Sequence, residues 1–349
     1  MTKVIANLDL GGSQLALLRV ARSFAARGQH TRLLVGYSTD AGLELARAHG
    51  VEPELMGAEE NLQWRCDPAF AAWLEPRLAD AEIVHAHHVG AWWAAGCSVP
   101  PGVPFAASEH NDLLWPGEQN WDALADVAGR VDRFYAHAPG ARAGALRIGV
   151  PEERVARGVS PVEGFGAVED TNLPSPRIVF AARLARDKGP DVLVEAIARM
   201  SDPPPVFILG AGVLEPELRA RVGEAGLEDV VHLCGWVYEP GPWMAGASVQ
   251  VCPSRDEAFS QAAALAMALG TPVVGTRLDG FSETLADGRG LIVEPDDPAA
   301  LAAAFEDVLS GARSTDLLGA RQWAQQFDVE RVTSHYERDY LELTRAVAA

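Results

Sequence analysis

Several protein classes are excluded by what this sequence holds little of. Cysteine is scarce: Cys66, Cys97, Cys234 and Cys252 are the four in 349 residues, with no CxxC spacing among them. That pattern supports neither a disulfide framework nor a zinc ribbon, and it reads as buried thiols of a reduced, cytosolic protein. Positive charge is in deficit, with 29 Lys+Arg against 48 Asp+Glu and a net charge of −19. The deficit is spread along the chain: 14 basic and 22 acidic residues over 1–170, then 15 and 26 over the remainder. Binding to nucleic-acid backbones or to an anionic membrane surface is therefore disfavoured in both parts, although one local basic pocket stays compatible. No apolar run approaches the ~20 residues that span a bilayer, so no stable membrane insertion is expected. The N-terminal MTKVIANLDLGG is too short and too polar for a secretory h-region. No P-loop, EF-hand loop or Ser/His/Asp order is present, and Gly11-Gly12 lacks the third glycine of a GxGxxG fingerprint.

What is present is a double alternation of strand-like and helix-like segments, in a chain long enough for about two domains, each with its own core. VIANL leads through Asp9 and Gly11-Gly12 into a helix that Ser13 is placed to cap and Gly28 ends. Strands follow at 31–37, 82–90, 104–110 and 132–138, with a helix at 41–49. This β-α-β-α order predicts a parallel sheet with helices on both faces. Residues 158–176 are rich in Gly, Pro and acid, lack periodicity and read as a linker. A second series then places strands at 177–182, 206–212, 230–237, 249–254, 271–276 and 290–295, with helices at 189–200, 214–225 and 260–269. Residues 318–349 read as helical. The fold class is α/β, as two domains whose strand ends can face one shared cleft.

The chemistry concentrates at strand ends. Arg183 and Lys188 follow an apolar run and precede a helix: a planar fork and a mobile point charge suited to a diphosphate. The bland alternative is a pair of solvated surface charges. Glu257 lies just before the helix 260–269, whose first amides, near Phe259, Ser260 and Gln261, favour an anion. Its alternative is an acidic residue that only complements the helix dipole. The Gly11-Gly12 turn is either a close approach to a ligand or a tight β–α turn. In HAHH (85–88), alternation puts His85 and His87 on one face. With no Asp, Glu or Cys near them in sequence, a core or cleft-lining role is expected rather than a metal site. His110, at another strand end, is the better site candidate. Trp92, Trp93, Trp115 and Trp121 are read as core before stacking surfaces.

Together, these blocks resemble the family 4 retaining glycosyltransferases of GT-B fold, the glycogen-synthase-like group. DLGGSQ, IVHAHH, AARLARDKG, FILGAG, VVHLCGWV, PSRDEAFSQAAALAMALGTPVVGT and DGFSETLADGRGLIVEPDDPAALAAA stand in the family's order over nearly the whole chain. The resemblance implies an N-terminal Rossmann-like acceptor domain over 1–165 and a nucleotide-sugar domain over 166–325. It further implies a C-terminal helix over 326–349 that crosses back to the first domain. It assigns the donor diphosphate to Arg183 and Lys188 and the donor sugar to Glu257 and His110. Phosphate or sugar contacts fall to the amides of Phe259, Ser260 and Gln261 and to the Gly11-Gly12 loop, and the base edge falls near Trp236-Val237. Retention of anomeric configuration without a metal or cofactor is implied, with a nucleotide sugar as donor and a soluble acceptor in the cytoplasm.

Three departures stand out. The second glutamate of the family's E-x7-E falls on Leu265, two glycines of E-G-F-G are Ala258 and Ser260, and the glycine before the arginine is Ala182. In the family that second glutamate bonds the donor ribose, so Ser260 or Gln261 is expected to take over part of the contact. The competing readings are a GT-B nucleotide-sugar epimerase and a non-catalytic nucleotide-sugar-binding protein.

Overall fold

The computed structural model describes residues 1–110, 118–166 and 173–348, so Trp115 and part of the expected linker lie outside the described residues. The chain divides into two units, Met1–Pro161 with Val329–Ala349, and Val162–Asp328.

The first unit runs β1 (Thr2–Leu8), α1 (Gly12–Ala26), β2 (Arg32–Ser38), α2 (Asp40–Ala48), β3 (Pro53–Leu55), α3 (Pro68–Leu78), β4 (Val84–His87) and α4 (Val89–Ser98). It continues through β5 (Phe105–Glu109), α5 (Glu118–Ala128), β6 (Arg133–Ala136), α6 (Pro139–Arg147) and β7 (Val155–Arg157). Among the described residues the strands form one parallel sheet in the order β3-β2-β1-β4-β5-β6-β7. The order reverses between β1 and β4, which is where open parallel sheets bind ligands, beyond the strands' carboxyl ends. Both faces of such strands are covered, which is why Val4, Ile5, Ala6 and Leu8 are all fully buried.

The second unit runs β8 (Ile178–Ala181), α7 (Pro190–Ile197), β9 (Val206–Leu209), α8 (Glu215–Glu224), β10 (Val231–Gly235), α9 (Gly241–Met244), β11 (Val249–Cys252) and α10 (Gln261–Leu269). Then come β12 (Val273–Thr276), α11 (Asp279–Ser282), β13 (Leu291–Val293), α12 (Pro298–Leu309) and α13 (Leu317–Ala324). Its parallel sheet has the order β10-β9-β8-β11-β12-β13 among the described residues, with the reversal between β8 and β11. Its core packs Ile178, Phe180 and Val251 against Leu193, Ile197 and Phe305. The last helix, α14 (Val329–Ala348), belongs to the first unit. There Tyr336, Tyr340 and Leu343 pack on Val20 and Phe24 of α1, and Arg27 reaches Glu330 at 2.8 Å and Glu337 at 2.7 Å.

Four expectations are corrected. Ser13 is not the cap of α1: Gly11 occupies that position and the Ser13 hydroxyl sits inside the first turn. The strand expected over 82–90 stops at His87, because His88 takes φ 72° and α4 starts at Val89. α4 is apolar nearly all round and buried, so its run carries no helical period to distinguish it from a strand. The single helix expected over 318–349 is two, α13 and α14, separated by a 3-10 turn at Gln325–Phe327 and an extended Asp328. The thiols are not uniformly buried: Cys252 is, Cys66 and Cys234 are half-buried and Cys97 is exposed, all four free.

Candidate active site

In the second unit, the expected residues converge on the switch point between β8 and β11. Lys188 lies in a 3-10 turn, Arg186–Lys188, just before α7. Gly189 follows at φ 66°, and a Cβ there would lie 2.0 Å from the Pro253 carbonyl oxygen. Only glycine lets this turn close onto the end of β11. The Lys188 ammonium donates to Glu257 Oε2 at 3.2 Å and to the Asp256 carbonyl at 3.1 Å, with Asp187 Oδ2 at 3.5 Å. Lys188 and Glu257 are 18% and 11% exposed. Burial opposes the lysine's charge, but the Glu257 and Asp187 carboxylates outweigh it and hold its pKa above the ordinary value. Arg183 is different in kind: its guanidinium is half exposed and pairs with the partly exposed Asp187 at 3.3 Å.

The Glu257 loop is fixed from two sides. Ser260 caps α10, its Oγ accepting the Ala263 amide at 3.2 Å and lying 3.6 Å from Cys252 Sγ. Its hydroxyl therefore has partners within the protein. Phe259 packs on Phe327 with the rings tilted by 46°, and Phe327 packs in turn on Trp323. On the other side α11 presses Gly280 against the loop, where a Cβ would lie 1.9 Å from the Glu257 carbonyl. The amides at the start of α10 thus sit beside Glu257 at the positive end of that helix's dipole. Leu265 points into the core at 4% exposure. Val237 stands apart from this group, beyond β10, between Trp236 and the exposed Tyr238. Trp236 and Tyr238 meet edge to face, and the buried Trp236 Nε1 has no acceptor among the described residues.

In the first unit the carboxyl ends of β1 and β4 carry the other candidates. Asp9 Oδ1 ties the turn together, accepting from Leu10 N and Thr39 Oγ1, both at 2.8 Å. Gly11 is buried and Gly12 exposed at the start of α1. Ser13 Oγ lies 2.9 Å from both Gln14 Oε1 and His88 Nε2. An amide oxygen only accepts, so the single hydroxyl proton goes to Gln14, and His88 must carry its proton on Nε2. His88 Nδ1 then has no partner among the described residues.

His110, just after β5, sits in a row of imidazoles. Ring centroids are 4.2 Å apart for His85–His87, 5.5 Å for His87–His110 and 3.9 Å for His110–His137. His87 Nδ1 and His110 Nε2 are 3.2 Å apart. His85 bonds Ser108 Oγ at 2.8 Å and, through Nδ1, the Tyr340 hydroxyl. Burial holds the row neutral: the pKa values of His85, His87 and His110 are pushed well below the usual value. Those of His88 and His137 fall to about 4 and about 3. Among the described residues, no group of three or more His, Cys, Asp and Glu has a metal-holding arrangement. Trp92 is core, Trp93 donates to the Ala123 carbonyl at 3.1 Å, and Trp121 is covered by the Arg147 guanidinium at 4.1 Å.

Sequence reasoning overlooked Arg255, Asp191 and Gly280. Arg255 and Asp191 pair through both terminal guanidinium nitrogens and both carboxylate oxygens at 2.8 Å. Their 64-residue separation gives no local signal. For Gly280, nothing local in the sequence marks the Glu257 backbone it presses on.

Known proteins bear this architecture. Residues 10–160 match the family model described as Glycosyltransferase Family 4, and residues 175–311 match that of Glycosyl transferases group 1. The chain belongs to the group 1/family 4 glycosyltransferases, which transfer a sugar from a nucleotide sugar. It is similar to the D-inositol 3-phosphate glycosyltransferase of Xylanimonas cellulosilytica, 28% identical over 79% of this chain and 70% of that one. A match to the same-named protein of an Arthrobacter species is 42% identical but spans 34% of this chain and 30% of that one. The fold is that of Anabaena HepE solved with UDP-glucose, with TM-score 0.76, 19% identity and coverage of 97% and 99% of the two chains. The fold is thus GT-B. No described helix is long and apolar enough to cross a membrane.

Proposed function

We propose that the protein moves a hexose, with retention of configuration and without a metal, from a nucleoside diphosphate sugar to a soluble acceptor in the cytoplasm. The observation that carries this reading is the Lys188–Glu257 pair beside exposed Arg183 at the switch point of the second sheet. As the glycosidic bond breaks, the leaving diphosphate gains negative charge. Cations and a helix N-terminus already in place stabilise that charge more than they stabilise the bound donor. Arg183 and Lys188 take that role. Glu257 accepts hydroxyl groups of the donor sugar, and His110 is assigned to that sugar as a neutral group. The amides of Phe259, Ser260 and Gln261 hold phosphate or sugar. The Gly11-Gly12 loop approaches the phosphates, and the base lies along Trp236-Val237. Uridine donors are the first to test, because HepE binds UDP-glucose. Inositol phosphate is the first acceptor to test, because the relatives above are named for it. The strongly acidic chain supports a soluble acceptor over an anionic lipid surface.

The test is a transfer assay across UDP-, GDP- and ADP-sugars with acceptor present or omitted, with Arg183→Ala and Lys188→Ala as controls. Acceptor-dependent release of nucleoside diphosphate, lost in both variants, is the expected result. An isomerised donor without transfer would instead support the epimerase. Donor binding with no turnover against a broad acceptor panel would leave a binding protein.

A further inference from the structure

The turn that carries Arg183 and Lys188 follows β8, and the loop that carries Glu257 follows β11. Arg255 makes the largest set of bonds between them. Arg255 Nη1 donates to the Arg186 carbonyl at 2.7 Å and to Asp191 Oδ1 at 2.8 Å. Its Nη2 donates to Asp191 Oδ2 at 2.8 Å and its Nε to Asp296 Oδ1 at 2.6 Å. The backbone continues the strap, with the Arg255 and Asp256 amides donating to the Asp187 carbonyl at 2.7 and 3.2 Å. Four of the five guanidinium donors are thus engaged, three of them on the turn and on the first turn of α7 behind it.

We infer that Arg255, seated on Asp191, is a positioning residue for sugar transfer: it fixes the spacing between the Arg183–Lys188 turn and Glu257, and so between the groups that meet the donor's diphosphate and its sugar. The inference rests on the function proposed above. The geometry has the marks of a fixed frame. Asp191 and Arg255 are 12% and 20% exposed, and their fork-to-fork pairing defines both distance and angle. Lys188 reaches the Asp256 carbonyl and Glu257 directly on the far side of the strap. A shift of the turn by about 1 Å would move the cations away from the diphosphate while the sugar stayed on Glu257, and misplacements of that size cost about 100-fold in rate. Burial alone would raise the Asp191 pKa, but Arg255 outweighs it and holds the carboxylate ionised.

The test compares wild type with Arg255→Lys, Arg255→Met, Asp191→Asn and the double variant Arg255→Met/Asp191→Asn, each shown to be folded at the assay temperature by its melting curve. A positioning role predicts a fall of about 30-fold or more in kcat/KM for the donor in Arg255→Met, with most of the loss in kcat. Arg255→Lys recovers part of it, and the double variant is no worse than Arg255→Met, because the pair acts as one unit. Asp296→Asn, whose carboxylate is 60% exposed, stays within about threefold of wild type. A folded Arg255→Met within threefold of wild type would overturn the inference, as would losses that multiply in the double variant. Should Arg255→Met not fold, Arg255→Lys is held to the threefold criterion, since it cannot reproduce the fork. If wild type neither binds nor turns over any nucleotide sugar, the proposed function falls and this inference with it. If wild type is active and the variants are unaffected, only the inference falls.

Discussion

Mild acid is expected to destabilise the first unit, and the row of imidazoles sets the size of the effect. His88 gives the clearest case. It is fully buried, its Nε2–H is committed to Ser13, and its pKa lies near 4. In the unfolded chain the same imidazole ionises near 6.5. The folded value is the lower one, so the unfolded state binds the proton first as pH falls. The stability in question is whole above about pH 6.5 and is lost between there and about pH 4. At ~1.4 kcal/mol per pH unit the full loss is about 3 kcal/mol, of which about 2 is gone at pH 5. That is a large share of a typical net stability of roughly 5–15 kcal/mol.

His85, His87, His110 and His137 shift in the same direction. His110 and His137 keep part of their surface exposed, so each contributes less than His88. The groups facing the row do not reverse the sign. Lys3 on β1 is a further buried base. Tyr135, Tyr336 and Tyr340 are held neutral by burial. Asp339 on α14 is engaged by the Tyr135 hydroxyl at 3.0 Å, and Glu109 on β5 accepts the His110 amide at 2.9 Å. Urea unfolding at several pH values between 7.5 and 5.0 counts the protons taken up, in a window above the ordinary carboxylate range. We expect more than one proton for wild type. His88→Asn tolerates the φ of 72° and should take up about one fewer. A flat unfolding free energy across the window, or equal uptake in His88→Asn, would refute the reasoning.

Three further outcomes are expected. Lys188→Met keeps the length and loses the charge, so nucleoside diphosphate binding should weaken by about 10- to 100-fold, as for the loss of one charge-assisted contact; calorimetry on the folded variant measures it. Gly189→Ala places a Cβ against the Pro253 carbonyl at a positive φ, and should cost at least about 2 kcal/mol in thermal or urea unfolding. Lys3 is fully buried, touching the Tyr340 hydroxyl at 3.5 Å, and burial brings its pKa to about 7. Because the unfolded lysine binds its proton first as pH falls from about 10.5, Lys3→Met should gain up to a few kcal/mol at pH 7. The gain should shrink as pH rises towards 10, and a pH-independent difference would count against it.

Local signals were enough for most strands. Runs such as RIVFAA and VQVC are buried on both faces of a parallel sheet, so they are continuous in the sequence as they are in the core. They failed where burial is complete in a helix. The run after His88 has no polar face, so nothing in its pattern separates helix from strand, and the change is made by one residue at positive φ. The short edge strands β3 and β7, three residues each, fall below what alternation can reveal.

The candidate site divides in the same way. Lys188 and Glu257 were legible because each sits at a strand end before a helix, a position that sequence spacing marks. What brings them within 3.2 Å of each other was not legible. That depends on Gly189 meeting Pro253, Gly280 meeting Glu257 and Arg255 meeting Asp191, contacts between residues 23 to 64 apart. Leu265 shows the opposite limit. By spacing it reads as a lost polar contact, whereas in the fold it is a 4%-exposed core residue of α10. A glutamate restored at that position would first have to be solvated or paired in an apolar setting, which costs several kcal/mol unless a partner is in place. Leu265→Glu is therefore expected to lower the melting temperature without improving donor affinity. A gain in affinity at unchanged stability would mean that the side chain can turn out of the core.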